Sequence, residues 1–125
     1  MSTIIERYQL SFELARRDTN HPLALIGSTM DDLFDYQIGG YFIGQPIDFL
    51  TGDVLPEIEK ALCGQPYESD GGGVICFLTI GTPISTFSAI NELKSDVSIP
   101  TQDLKEIMIA WTDWVIANSN LHNNI

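Results

Sequence analysis

Cations, cysteine and histidine are all scarce in this chain of 125 residues, which has six Lys and Arg, two Cys and two His. The 17 Asp and Glu residues give a formal charge of −11, which argues against binding nucleic acid through a positive field. No run of about 18 apolar residues is present, so we expect no membrane span. The first ten residues lack a basic segment followed by an apolar one. We therefore expect no signal peptide and a cytoplasmic location.

The cysteines and histidines form no recognisable site. Cys63 and Cys76 show neither a CxxC motif nor zinc-type spacing, so we expect two reduced thiols packed as small apolar side chains. His21 lies in an expected turn and His122 near the end of the sequence, so both are expected at the surface. No HExxH, P-loop or nucleophile-elbow motif is present. We expect no catalytic residue, no metal and no cofactor.

Apolar residues make up 44% of the sequence, which is enough to form a core in a chain of this size. No repeat or linker interrupts it, so we expect one domain over residues 3–118 and a polar tail over 119–125. Apolar and polar residues alternate over 8–14, which predicts a half-buried strand, followed by an exposed turn at 16–20.

The segment 33–43 fits two structures. Apolar residues alternate with polar ones up to Gly39 and Gly40, which suit the turn of a β-hairpin. A short helix capped by Thr29 is the alternative. We favour the hairpin.

Two helices are predicted with clearer boundaries. Asp53 is a suitable N-cap, Pro56 fits the first turn and Gly64 fits the end, which predicts a helix over 53–63. Apolar residues at helical spacing predict a second helix over 101–118.

Between these helices we expect a turn at 69–73 and two strands. The run 74–80 is apolar on both faces and predicts a central strand covered on both sides, with a second strand over 84–90. The sequence thus predicts an α+β fold, in which a small, mainly antiparallel sheet packs against two helices.

The negative charge is concentrated in one third of the chain. Residues 31–70 contain nine acids and one lysine, a net charge of −8, whereas residues 1–30 are neutral and residues 71–125 carry −3. One interpretation is a solvated acidic face that keeps the protein soluble, but close like charges also destabilise the compact state, and their concentration gains a reason if they meet a positive partner. We therefore predict a partner-binding surface with acidic and aromatic members: Asp31, Asp32, Asp35, Tyr36, Asp48, Glu57, Glu59, Tyr67, Glu68 and Asp70.

Three segments carry a family resemblance. They are VLPEIEKALCG (54–64) leading to Tyr67 and Glu68, GVICFL (73–78) and LKEIMIAWTDWV (104–115). On these segments the chain resembles the small immunity proteins of bacterial contact-dependent growth inhibition and other polymorphic toxin systems. The resemblance implies a cytoplasmic, non-enzymatic inhibitor that forms a one-to-one complex with a cognate toxin domain, often a nuclease.

Two alternatives to a toxin inhibitor are kept open. One is an acidic DNA mimic of the anti-restriction type, in which spaced carboxylates imitate phosphates. The other is a small hydrolase or cation-dependent enzyme that uses Asp31, Asp32 and Asp35. An inhibitor could act either by occluding the active site of the toxin or by locking the toxin in an inactive shape.

Overall fold

A computed structural model describes residues 3–16 and 22–123. His21 and nearly all of the predicted turn at 16–20 lie outside the described residues, and so does the side chain of His122.

The chain begins with a short helix and a β-hairpin. Helix α1 (Ile4–Arg7) is capped by Thr3, whose hydroxyl accepts a hydrogen bond from the Glu6 N–H. Strands β1 (Leu10–Arg16) and β2 (Pro22–Ser28) pair antiparallel, with Leu10 opposite Ser28. The strand predicted over 8–14 is therefore present but begins at Leu10. Strand β2 had no counterpart in the sequence-based prediction.

The hairpin predicted over 33–43 is wrong, because this segment forms helix α2 (Asp32–Phe42). The Asp31 carboxylate caps the helix by accepting a hydrogen bond from the Phe34 N–H at 2.7 Å, so the cap is not Thr29. Phe34, Ile38 and Phe42 are spaced one helical turn apart and are at most 1% exposed. Helical spacing therefore buries the largest side chains of the segment on one face.

The predicted helix at 53–63 is the end of a longer helical segment. It comprises α3 (Ile47–Phe49), a π-helical turn (Leu50–Val54) and α4 (Leu55–Leu62). Asp53 is not the N-cap, since it lies within the π-helical turn. Gly64 has a φ of 75°, which favours glycine and ends α4 as predicted.

Four antiparallel strands form the second sheet in the order β3 (Asp70–Gly73), β4 (Cys76–Thr79), β5 (Ile84–Ala89) and β6 (Val97–Pro100). The predicted turn at 69–73 is thus mostly strand β3, and β6 had not been predicted. Strand β5 confirms the strand predicted over 84–90. The central strand β4 is covered on one face only, since Leu78 is 1% exposed and Phe77 is 38% exposed.

Helix α5 (Thr101–Asn123) begins where predicted and continues past residue 118. Leu104, Ile107, Met108 and Trp111 are buried at the predicted helical spacing. The α+β class is confirmed, and helix α2 lies between the two sheets because it packs on β2 as well as on β4 and β5. Within the described residues, no helix is both long and apolar enough to cross a membrane.

A buried hydroxyl pair joins the start of α5 to the second sheet. The Thr101 hydroxyl lies 2.7 Å from the Ser85 hydroxyl and donates to the Gly81 carbonyl. We expect Thr101→Val to lower the free energy of unfolding by about 0.5–1.5 kcal/mol, because the hydrogen bonds are lost while Ser85 keeps its contact with Gly81. Urea denaturation of Thr101→Val, Ser85→Ala and the double variant measures this. Strictly additive losses would contradict a direct interaction.

Candidate functional site

The first acidic group lies at the start of α2 and includes Asp31, Asp32 and Asp35. Besides the Asp31 cap, the Asp35 carboxylate accepts a hydrogen bond from the Ser28 N–H at 2.8 Å and so ties α2 to β2. Asp32 lies in the first turn and is exposed. Two of these three carboxylates therefore stabilise the local structure as well as adding negative charge.

The second acidic group joins α4 to β3. Glu57 accepts a hydrogen bond from the Glu68 N–H at 2.9 Å, and Glu68 accepts one from the Asp70 N–H at 3.1 Å. Asp70 in turn accepts one from the Gly72 N–H at 2.9 Å. The hydrogen bond from Glu68 and the ion pair with Lys60 hold the pKa of the Glu57 carboxyl below its ordinary value. A general acid needs the opposite shift, so Glu57 is suited to carrying negative charge.

The four remaining residues of the predicted surface differ in exposure. Asp48 on α3 and Glu59 on α4 are exposed. Tyr36 is half-buried, and the Lys94 ammonium lies 4.8 Å from the centroid of its ring. Tyr67 is half-buried against the core. Of the two tyrosines, only Tyr36 lines a cavity described below.

The ten residues of the predicted surface lie on several different elements. Helix α2 packs on β2 and the second sheet, whereas α4 packs on α5. Hydrogen bonds link Glu57, Glu68 and Asp70, whereas Asp31, Asp32 and Asp35 lie together at the start of α2.

Few cations lie near these carboxylates. Arg7 pairs with Asp103 at 3.4 Å and with Glu106 at 3.6 Å, both outside the acidic third. Lys60 pairs with Glu57 at 2.9 Å. In the described part of the chain, no other carboxylate of residues 31–70 forms an ion pair. Among the described residues, Glu57 is thus the one carboxylate of this region that is paired with a cation.

An apolar groove runs beside α2 and was not predicted from the sequence. Its volume is about 450 Å³, and we call it the α2 groove. It is lined by Ile26, Asp35, Tyr36, Gly39, Gly40, Ile43 and Ile75. Gly39 and Gly40 let neighbouring elements approach this side of the helix closely, since a Cβ on Gly40 would overlap the Cys76 sulfur and one on Gly39 would lie 3.4 Å from the Ile26 carbonyl oxygen. In the sequence the same two glycines suggested a hairpin turn. A groove beside a helix was therefore not predicted.

The groove is acidic on one side. A second cavity of about 420 Å³ shares Ile26, Asp35 and Ile43 with it and adds the carboxylate of Glu13. The two cavities together offer an apolar hollow beside carboxylates. Such a surface can take an apolar side chain from a partner that also carries positive charge.

Metal binding finds little support at this site. Within the described residues, no cluster of three or more His, Cys, Asp or Glu side chains could hold a metal ion. Asp31 and Asp35 each have one carboxylate oxygen engaged by a backbone N–H. The first acidic group is therefore not arranged as a cation site.

The titratable groups with raised pKa values are part of the core or its border. Burial raises the pKa of the Tyr41 hydroxyl, which donates to the Gly71 carbonyl at 2.7 Å. Burial, together with a hydrogen bond to Asp103, raises the pKa of Tyr8. Burial also raises the pKa of the Cys76 thiol, whereas Cys63 is exposed. The prediction of packed thiols is thus confirmed for Cys76 and wrong for Cys63.

Comparison of the chain with protein-family models, with curated proteins and with solved structures finds no match in any of the three.

Proposed function

We propose that this chain is a cytoplasmic immunity protein, which binds a basic toxin domain, such as a nuclease, one-to-one and neutralises it. The observation that carries the proposal is the set of exposed carboxylates in residues 31–70 that have no counter-ion among the described residues. A field of this kind raises association rates with a cationic partner by roughly 10- to 1,000-fold. The resemblance of residues 54–64, 73–78 and 104–115 to immunity proteins supports the same function.

The α2 groove supplies a second supporting feature. Charged contacts mainly speed and orient association, whereas most interface energy comes from a few anchors in well-packed hollows. The groove provides such a hollow next to Asp35 and Glu13. We propose that an apolar side chain of the toxin enters it while Lys or Arg residues of the toxin face the carboxylates. The toxin would thereby be occluded or held in an inactive shape.

A test of this proposal has to change charge without changing the fold. Asp31, Asp35 and Glu57 are unsuitable because each accepts a backbone hydrogen bond. The carboxylates of Asp32, Asp48 and Glu59 have no hydrogen bond or ion pair within the described residues, and all three residues are exposed. The triple variant Asp32→Lys, Asp48→Lys, Glu59→Lys therefore reverses charge with little loss of packing.

We expect this triple variant to slow association with the toxin domain encoded by the neighbouring reading frame by about tenfold or more at low salt. Stopped-flow measurements at low and high salt give the rate, and urea denaturation checks the fold. The control is Glu6→Lys, Glu92→Lys, Asp113→Lys, which makes the same change in net charge at exposed acids outside residues 31–70. Equal slowing by both variants would show that only total charge matters.

The binding partner itself is tested by co-purification. We expect the wild-type chain to form a one-to-one complex with the toxin domain from the neighbouring reading frame and to protect cells that express it. Failure to bind that domain would contradict the proposal. Displacement of duplex DNA from several unrelated DNA-binding proteins would instead favour a DNA mimic.

A further inference from the structure

The α2 groove is the middle part of a longer depression along helix α2. At one end it shares Asp35 and Ile43 with the cavity of about 420 Å³ that contains Glu13. At the other end a third cavity, of about 230 Å³, shares Gly40, Ile43 and Ile75 with it. We call the three cavities together the extended groove. It follows α2 from Asp35 to Ile43, which is a distance of about 12 Å at a rise of 1.5 Å per residue.

The end of the extended groove at the second sheet is apolar and exposed. Val74 and Ile75, between β3 and β4, line the third cavity and are 78% and 52% exposed. Ile90 lies beside them, since its N–H donates to the Ile75 carbonyl at 2.9 Å, and it is 67% exposed. Neighbouring exposed apolar side chains of this kind are typical of a surface that a partner covers.

The opposite end of the extended groove is acidic. Glu13 and Asp35 are exposed there, and they are the charged residues among those that line the three cavities. The hydrogen bond from the Ser28 N–H holds the Asp35 carboxylate at the rim. One ammonium group also lies beside the groove, that of Lys94, 4.8 Å from the centroid of the Tyr36 ring. The extended groove therefore has two carboxylates at one end and apolar side chains at the other.

The backbone around the extended groove favours a helical occupant over an extended one. An extended segment would need a strand edge to pair its backbone N–H and C=O groups. Helix α2 already covers the edge of β2 at this point, since the Ile26 carbonyl oxygen would lie 3.4 Å from a Cβ on Gly39. A helix satisfies its backbone hydrogen bonds internally and needs only hollows for its side chains. The length of about 12 Å corresponds to about two helical turns.

Resting on the proposed function, we infer that the extended groove receives an amphipathic helix of the basic toxin domain. Apolar side chains one turn apart on that helix fill the hollows beside Ile43 and Ile75, while Lys or Arg residues at one end face Glu13 and Asp35. Two copies of this chain, each with a charge of −11, repel one another. A cationic helix instead complements the acidic end, and this match of charges fixes the direction in which the helix lies.

The two ends of the extended groove are expected to govern different rate constants. Ile75→Ser removes an apolar contact without changing charge, so we expect the toxin domain from the neighbouring reading frame to dissociate about tenfold faster, with its association rate unchanged. Glu13→Gln removes one charge at the acidic end, so we expect association to be roughly twofold slower at low salt and unchanged at high salt. Stopped-flow mixing and displacement measure the two rates.

Matched controls lie on other elements of the chain. Ile116 on α5 is 45% exposed, and Glu6 on α1 is exposed, so we expect Ile116→Ser and Glu6→Gln to bind as the wild-type chain does. Val74→Ser is a second variant at the apolar end if urea denaturation shows that Ile75→Ser is unfolded. Equal dissociation rates in the apolar-end variant and Ile116→Ser would overturn the inference but leave the proposed function standing. Absence of any complex with the wild-type chain would contradict both.

Photo-crosslinking identifies the occupant itself. A benzophenone side chain introduced at residue 74 reacts with whatever lies against the apolar end, and mass spectrometry identifies the crosslinked peptide. We expect a toxin segment with apolar residues at helical spacing and Lys or Arg at one end. A crosslink to a second copy of this chain, or to an acidic or extended segment of the toxin, would show that the occupant is not the one inferred.

Discussion

Replacing Trp111 with alanine is expected to lower the free energy of unfolding by about 3–5 kcal/mol, the range typical of large aromatic side chains removed from a core. The Trp111 side chain is among the largest in the core and is 2% exposed. Its ring packs edge-on against Phe12 at 5.5 Å and against Phe42 at 6.5 Å between centroids. It therefore joins α5 to both the hairpin and α2, so that its loss opens a cavity where three elements meet.

Trp114 provides the control for this substitution. Its ring stacks on Trp111 at a centroid distance of 6.0 Å, but the residue is only half-buried. We expect Trp114→Ala to lower the free energy of unfolding clearly less than Trp111→Ala does. Urea denaturation followed by far-UV circular dichroism measures both values. Trp111→Phe keeps most of the packing, so we expect it to lower the free energy of unfolding by less than Trp111→Ala does. This variant keeps the comparison usable if Trp111→Ala does not fold. Equal losses at 111 and 114 would contradict this account of the core.

The elements predicted correctly from the sequence are those whose pattern fits one period only. Leu104, Ile107, Met108 and Trp111 recur at helical spacing with no competing alternation, and helix α5 follows that pattern. The acidic and apolar faces of α4 are equally distinct. For such segments the local pattern already determines which face is buried, and tertiary contacts agree with it.

The segment 33–43 fits both periods, and tertiary packing decides between them. Phe34, Tyr36 and Ile38 alternate as in a strand, yet Phe34, Ile38 and Phe42 also lie one helical turn apart. The helix wins because it buries Phe34, Ile38 and Phe42 together, between the two sheets. Asp31, three residues before Phe34, was the sequence signal for the start of this helix.

The roles of the acidic residues could be predicted only in part. Their number and their concentration in residues 31–70 are visible in the sequence. The hydrogen bond from the Ser28 N–H to Asp35, and that from the Glu68 N–H to Glu57, depend on how separate elements pack. Sequence spacing therefore cannot distinguish carboxylates that hold the fold together from carboxylates that are free to meet a partner, such as Asp32 and Glu59.

Gly40→Ala is expected to lower the free energy of unfolding by about 1–3 kcal/mol, although alanine is normally favoured over glycine within a helix by about 1 kcal/mol. An added Cβ would overlap the Cys76 sulfur and lie 3.3 Å from the Cys76 Cβ. Cys76 is fully buried on β4, so its sulfur has no free space to occupy. The missing side chain of Gly40 thus sets how closely α2 approaches the second sheet.

The neighbouring glycine offers a matched control for this close approach. A Cβ on Gly39 would make ordinary contacts, with the Ile26 carbonyl oxygen at 3.4 Å and Ile43 Cδ1 at 3.5 Å. We therefore expect Gly39→Ala to be neutral or to stabilise the chain by up to about 1 kcal/mol in urea denaturation. In a Cys76→Ala background, we expect Gly40→Ala to lower the free energy of unfolding much less than it does in the wild-type chain, because the overlapping sulfur is gone. Equal effects at 39 and 40, or no relief in that background, would mean that the contact between α2 and β4 does not limit the size of the side chain at residue 40.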